Sequence, residues 1–216
     1  STRHSTLFPY TTLFRSEIYP LFMEYPVVVK IGGSLIDYLD PILDALRRQR
    51  HPVLIVPGGG KFADQVRETG ISGDAAHWMA IAAMEQMGWY IASKGVRPVT
   101  FLQVPSQREV LLPYALLRDN DPLPHSWDVT SDTISAWIAS RLSLPLILLK
   151  SIDGIRSGGI IQEQITRDLP TDDVDPCFIR YVLGSNVRTM VINGKAPGRL
   201  EKFLEGCRVP GTTIGF

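Results

Sequence analysis

The apolar residues of this chain fall into short bursts separated by glycine clusters and by stretches with helical spacing. Two bursts near the start set the pattern: VVVKI (Val27–Ile31) and VLIV (Val53–Val56). Both are β-branched and aliphatic and lack the polar alternation of a half-exposed strand, so they predict strands covered on both faces. Each runs into glycines, Gly32–Gly33 before Ser34 in the first case and Gly58–Gly60 in the second, and helical spacing follows each cluster. Strand, glycine turn, helix is the layout in which backbone amides and a helix N-terminus grip an anion. Two such turns predict two anionic groups held close together.

The alternation continues downstream. Asp40 as N-cap with Pro41 at the first helical position predicts a helix over residues 42–50. A second helix spans 61–70 and stops at Gly70. A third spans 74–95, with Met79, Ala82, Ala83, Met84 and Met87 as its apolar positions. PVTFLQV (98–104) and EVLLPYALL (109–117) read as strands or strand-like segments. TSDTISAWIASRL (130–142) reads as a helix capped by Thr130 or Ser131. LPLILLK (144–150) is a buried strand leading to the turn at Asp153–Gly154, and SGGIIQE (157–163) is a short hairpin arm. Helices over 175–184 and 197–206 alternate with strands over 188–194 and 211–216. This order predicts an α/β fold with an open, mainly parallel sheet covered on both faces, in one domain without repeats. Residues 1–16, STRHSTLFPYTTLFRS, have no regular period, h-region or cleavage signature, so they do not read as a secretory signal. They resemble translated sequencing-adapter read-through. Residues 1–22 are therefore set aside as a non-native or disordered extension, and 23–216 are taken as the single working domain.

Composition narrows the function classes. The 216 residues carry 22 Lys plus Arg against 22 Asp plus Glu, so no basic surplus argues for a nucleic-acid partner. The longest apolar runs are too short to span a bilayer, which argues against a membrane partner. Cys177 and Cys207 form neither a CxxC pair nor a disulfide framework, and the default is a cytoplasmic protein.

The candidate chemistry sits at the strand ends. Lys30 lies near the carboxyl end of its strand, Gly32 and Gly33 would admit a phosphate close to the backbone, and Ser34 adds a hydroxyl. The bland alternative is a tight turn with Lys30 solvated at the rim. The stretch is neither a GxxxxGK[ST] loop nor GxGxxG. Gly58, Gly59 and Gly60 lose maximal entropy on folding, and a closely approaching ligand explains them better than a mere connection. Asp132 in a first helical turn suits the helix dipole but could do more. Lys150 ends a very apolar strand, where its ammonium either snorkels or meets an anion or carboxylate. Together Lys30, Asp132 and Lys150 would form a triangle around a phosphoryl group. His125 precedes the Asp132 helix and either faces an acceptor or caps and packs, whereas His77 reads as packing. Trp78, Trp89, Trp127 and Trp137 read as core, with Trp127 a candidate pocket wall. No residue set reads as a metal site.

VKIGGSL, VPGGGKFA, TSDTISAWIA, LLKSIDGI and VINGKAPGRLEKFLEGCRVPGTTI, in this order, resemble the amino acid kinase family from about Pro26 onward. The resemblance implies a three-layer αβα fold of the carbamate kinase type, ATP with Mg²⁺, and a homodimer or higher homo-oligomer. It implies ATP phosphates at Lys30, Gly32, Gly33 and Ser34, with Asp153, Gly154 and Ile155 approaching the nucleotide. It places the acceptor at Gly58, Gly59 and Gly60, with Asp132 orienting the catalytic lysines Lys30 and Lys150. The turn LKSIDG departs from the TDVDG or TKVDG of many relatives: the lysine is kept and the threonine lost. Residues 70–88 and 125–139 more closely resemble the branch that phosphorylates a small phosphorylated substrate, an aminomethylfuran-methanol phosphate, to a diphosphate in methanofuran biosynthesis. The other readings are a kinase of another small acid or phosphate, and a non-catalytic nucleotide- or oxoanion-storage protein of the same fold.

Overall fold

The computed structural model describes Phe22 and residues 25–216. Its centre is an eight-stranded sheet in the order β3-β4-β2-β1-β5-β9-β10-β8. The strands are β1 (Val27–Ile31), β2 (Val53–Pro57), β3 (Arg97–Val99), β4 (Arg108–Leu111), β5 (Leu146–Lys150), β8 (Gln164–Ile165), β9 (Thr189–Asn193) and β10 (Thr212–Ile214). Neighbours are parallel throughout except β10, which runs antiparallel to β9. A separate hairpin pairs β6 (Arg156–Ser157) with β7 (Ile160–Ile161). Gly158 and Gly159 turn it, both at positive φ.

The unbroken apolar strands are explained by two cores. Val28, Leu54, Val56, Leu146 and Leu148 pack into one cluster; Val27, Val29, Ile31, Ile55, Ile147 and Leu149 pack into the other. Successive side chains alternate between two covered faces, so no polar position is needed. The first face is covered by α3 (Gly73–Ala92), α5 (Ser131–Leu142) and α6 (Phe178–Ser185). The second is covered by α1 (Leu39–Arg47) and α7 (Arg199–Leu204). Three layers result, as expected for an αβα fold. Phe22, inside the stretch set aside from the sequence, is buried against Phe203 with ring centroids 5.2 Å apart; the rest of residues 1–21 lies outside the described residues.

Several local expectations are corrected. Asp40 is not an N-cap, because a 3₁₀ turn over Gly33–Tyr38 runs directly into α1 at Leu39. Asp40 instead accepts a hydrogen bond from Lys94 at 2.8 Å. The segment PYALL is helical: α4 (Pro113–Asn120) begins with Pro113 in its first turn, where a missing N–H costs nothing. The strand expected over 98–104 shrinks to three residues at the sheet edge. On α3, Met79 is exposed while Ala76, Ile81 and Ile91 join Ala83, Met84 and Met87 in the core. Trp89 is 55% exposed rather than core. The expected helices at 61–70 and 130–142 form as α2 (Gly60–Glu68) and α5, with Thr130 the cap of the latter.

Candidate functional site

The chain leaves β1 toward β2 on one side and continues from β5 to β9 on the other, so β1 and β5 flank a topological switch point. Open α/β sheets bind ligands in the crevice beyond the carboxyl ends of strands at such a point. Lys30 follows Val28 by two residues and Lys150 follows Leu148 by two, which puts both lysines on the face covered by α5. The parallel register sets Lys30 opposite Leu148, two residues short of Lys150. The two ammonium groups therefore reach the same point above the sheet.

Asp132 occupies that point. Lys30 Nζ donates to its Oδ1 and Lys150 Nζ to its Oδ2, each at 2.6 Å. The carboxylate and Lys30 are buried, and Lys150 is partly exposed toward the crevice. Burial alone would raise the Asp132 pKa, but the Lys30 and Lys150 charges outweigh it and pull the pKa down to about 2. Burial pulls Lys30 down from 10.5; Asp132 opposes this and Lys150 adds to it. A shared carboxylate thus holds two like charges side by side, ready to face an anion.

The sequence reading missed the brace behind this carboxylate. Asp175 Oδ2 accepts from Thr130 N, Thr130 Oγ1 and Thr133 N at 2.8–3.0 Å, and Oδ1 accepts from Thr133 Oγ1 at 2.5 Å. Orphan amides at the start of α5 are satisfied by a side chain from a loop about 40 residues on. The signal was faint: two threonines at i and i+3 around a helix start, and a distant acid before Pro176. Burial raises the Asp175 pKa against these hydrogen bonds.

The two glycine turns touch each other. A Cβ on Gly33 would stand 2.0 Å from Gly60 Cα, and one on Gly58 would stand 2.8 Å from Gly33 N. Gly58 N donates to Ile31 O at 2.9 Å, tying the second turn to the end of β1. Gly32 N donates to Leu149 O at 3.0 Å, tying the first turn to β5. Close backbone approach thus gives Gly33, Gly58 and Gly60 a physical reason of their own, beside the closely approaching ligand that the sequence suggested for Gly58–Gly60. Gly59 packs on Ala63, and a Cβ there would lie 2.5 Å from the Ala63 Cβ.

A cavity of about 460 Å³ opens over this junction. Lys30, Lys150, Asp132, Gly33, Ser34, Gly59 and Gly60 line it together. Ser34 also meets Ser151, with hydroxyl oxygens 3.3 Å apart. The lining also includes Asp64, Arg67, His77 and Trp127, with the Arg67 guanidinium 4.7 Å above the Trp127 ring. His77 packs as expected, edge-on to Trp78 with centroids 4.9 Å apart, and also lines the cavity. His125 stands behind it, its ring stacked on His77 at 4.0 Å, and its nitrogens lie 2.8 Å from Asp74 and 2.7 Å from Asp121. The hydrogen bonds to Asp121 and Asp74 raise the His125 pKa, whereas burial and the His125 charge lower that of His77.

Three expected nucleotide contacts lie away from this cavity. Asp153 accepts from Asn193 at 2.9 Å and pairs with Arg199. Gly154 is at φ 156° against Ile161 and Thr212. Ile155 is buried, with its N–H donating to Thr212 Oγ1 at 2.8 Å. Among the described residues no helix is long and apolar enough to cross a membrane.

Comparison with known proteins shows the family and the fold. Residues 26–175 match the model of the amino acid kinase family. A [5-(aminomethyl)furan-3-yl]methyl phosphate kinase from Methanocaldococcus jannaschii is 32% identical over 202 residues, covering 83% of this chain and 93% of that protein. Among solved structures, a uridylate kinase from Archaeoglobus fulgidus superposes with a TM-score of 0.62 at 20% identity, covering 87% of this chain and 99% of its own. An isopentenyl phosphate kinase gives 0.61 at 15% identity, covering 88% of this chain and 100% of its own. The relative and these structural neighbours are all kinases, and the chain belongs to the amino acid kinase family.

Proposed function

We propose that this chain transfers the γ-phosphoryl group of ATP to a small phosphate monoester, giving ADP and a diphosphate. The proposed acceptor is [5-(aminomethyl)furan-3-yl]methyl phosphate, the compound that names its relative from M. jannaschii. The observation that carries the reading is the Lys30–Asp132–Lys150 bridge set over two touching glycine turns in one cavity.

The chemistry follows from charge. A phosphate monoester has a second pKa of about 6, so near neutral pH its oxygen is already a nucleophile and needs no general base. That oxygen bonds to the γ-phosphorus as the bond from phosphorus to the β,γ-bridging oxygen breaks, and ADP leaves. The barrier is dominated by positioning and by the charge on the equatorial oxygens. Lys30 and Lys150 neutralise that charge while Asp132 holds them together, and Ser34 with the amides of the first turn seats the donor phosphates. The second turn, Gly58–Gly60, seats the acceptor phosphate. Both Asp132 oxygens are committed to lysines, so this residue set suits phosphates, and Mg²⁺ would be held by the phosphates of ATP. A homodimer or higher assembly belongs to the same proposal; the exposed Trp89, Tyr90 and Phe101 support it, and sedimentation tests it.

The test is turnover: ATP, Mg²⁺ and the furan phosphate should yield ADP and a diphosphate in equal amounts. Equal turnover of the dephosphorylated furan alcohol would refute the phosphate-acceptor assignment. ATP binding without turnover of any phosphate monoester would favour a storage role.

A further inference from the structure

The kinase reading leaves one cluster unused. His77, Asp121 and His125 each offer one ligand atom, and the three atoms lie within 4.8 Å of one another. They come from three places: His77 from α3, Asp121 from the end of α4, and His125 from the loop leading to α5. Asp74 holds the other nitrogen of His125 at 2.8 Å. The cluster meets the cavity through His77, and the neighbouring Ser126 and Trp127 line it as well.

We propose that this cluster is the seat of a primary ammonium group on the acceptor, opposite the end that holds its phosphate. The inference rests on the kinase reading above and names the feature by which the acceptor is chosen. An ammonium has three N–H donors and no acceptor. At hydrogen-bond length, about 2.8 Å, its tetrahedral directions set three acceptor atoms about 4.6 Å apart. The three ligand atoms lie within 4.8 Å of one another, and the His125–Asp121 pair, now at 2.7 Å, has to open to reach that spacing. His125 Nε2 and Asp121 Oδ1 now share a proton across 2.7 Å. An ammonium takes the place of that proton, which is released to solvent, while the exposed Asp121 swings outward, so the charge of the cluster is unchanged.

His77 and His125 stack with ring centroids 4.0 Å apart and 17° from parallel, so the two imidazoles stand together beside the cavity. The printed name of the M. jannaschii relative contains an aminomethyl group, which is an ammonium at neutral pH.

The experiment compares kcat/KM for the aminomethylfuran phosphate with that for its analogue carrying hydroxymethyl in place of aminomethyl. It uses the wild-type chain and the variants Asp121→Asn and His77→Gln. Asp121 sits at φ 40°, a conformation that asparagine accepts readily, so the first variant keeps the fold. The wild type should favour the amine by about 10- to 100-fold, the value of one or two hydrogen bonds to a charged group. Asp121→Asn should cut that preference below about 3-fold, through the acceptor KM and not through the KM for ATP. Equal use of both acceptors by the wild type, or an undiminished preference in both variants, overturns the ammonium site alone. Turnover of neither acceptor overturns the kinase reading along with it. Micromolar Zn²⁺ binding that is lost in His77→Gln and in His125→Gln, with amine preference intact, assigns the cluster to a metal and also overturns the proposal.

Discussion

Replacing Asp132 with asparagine tests the arrangement at its centre. The substitution keeps the shape of the side chain, removes its charge, and turns one acceptor into an NH₂ group facing an ammonium. Lys30 is only 3% exposed and donates to Asp132 at 2.6 Å. Leaving such a charge unpaired costs about 3–5 kcal/mol unless the lysine gives up its proton. Burial already lowers the Lys30 pKa, and Asp132 is the main influence holding it up, so the variant should lower it further. We expect kcat to fall by about 10²- to 10³-fold, comparable to the loss of a preorganised electrostatic donor. The remaining activity should decline at lower pH than in the wild type, because a neutral Lys30 no longer counters phosphoryl charge. Stability carries a second signature. The Asp132 pKa is lowered from 3.8 to about 2, so its contribution is present above pH 3.8 and is lost as the pH falls toward 2. That shift corresponds to about 2 kcal/mol, and the stability gap between wild type and variant should narrow across this window. Steady-state kinetics across the neutral to alkaline range and urea unfolding at pH 5 and pH 2.5 measure both. A variant that is destabilised yet keeps kcat within about 3-fold of wild type would refute the catalytic reasoning and leave Asp132 a structural tie.

Three further outcomes follow from the same geometry. Lys150→Arg should lower kcat by about 10²-fold or more with little change in the KM for ATP, because a planar fork cannot reproduce a point charge; wild-type kinetics would exclude Lys150 from the transferring group. Gly33→Ala should abolish activity and fail to fold normally, since its Cβ would meet Gly60 backbone at 2.0 Å; Gly70→Ala, at positive φ with open space around it, should cost only about 1 kcal/mol by urea unfolding. Asp175→Ala leaves buried donors on Thr130 and Thr133 unmet and should cost about 2–4 kcal/mol, read by thermal melting; an unchanged Tm would show that water replaces the brace.

Much of this molecule is legible in the chain because its strands are uniformly apolar. Val27–Ile31 and Leu146–Lys150 can only be strands buried on both faces, and a lysine that follows such a run must emerge at the strand end. That argument brought Lys30, Lys150 and Asp132 together before any coordinates. It failed where identity is decided by a distant neighbour. Pro113 and the apolar residues after it pass equally well for strand and helix, and contact with α3 and a hydrogen bond from Tyr114 N to Glu85 decide for the helix. The reversal of β10 against β9 leaves no local trace, because three residues show no period. Asp175 was passed over for the same reason: its partners lie on another element.

The contact between Gly33 and Gly60 has a consequence for how specificity can diverge in this chain. Where backbone rests on backbone there are no rotamers to adjust, so the separation between the two turns, proposed above to seat the two phosphates, behaves as a fixed gauge. A change in one turn forces a change in the other, and single substitutions in either are steps toward loss rather than toward a new acceptor. Variation is left to the walls that the gauge does not constrain, Asp64, Arg67, His77 and Trp127. Libraries meant to change what this enzyme phosphorylates should therefore leave both turns untouched and diversify those four positions.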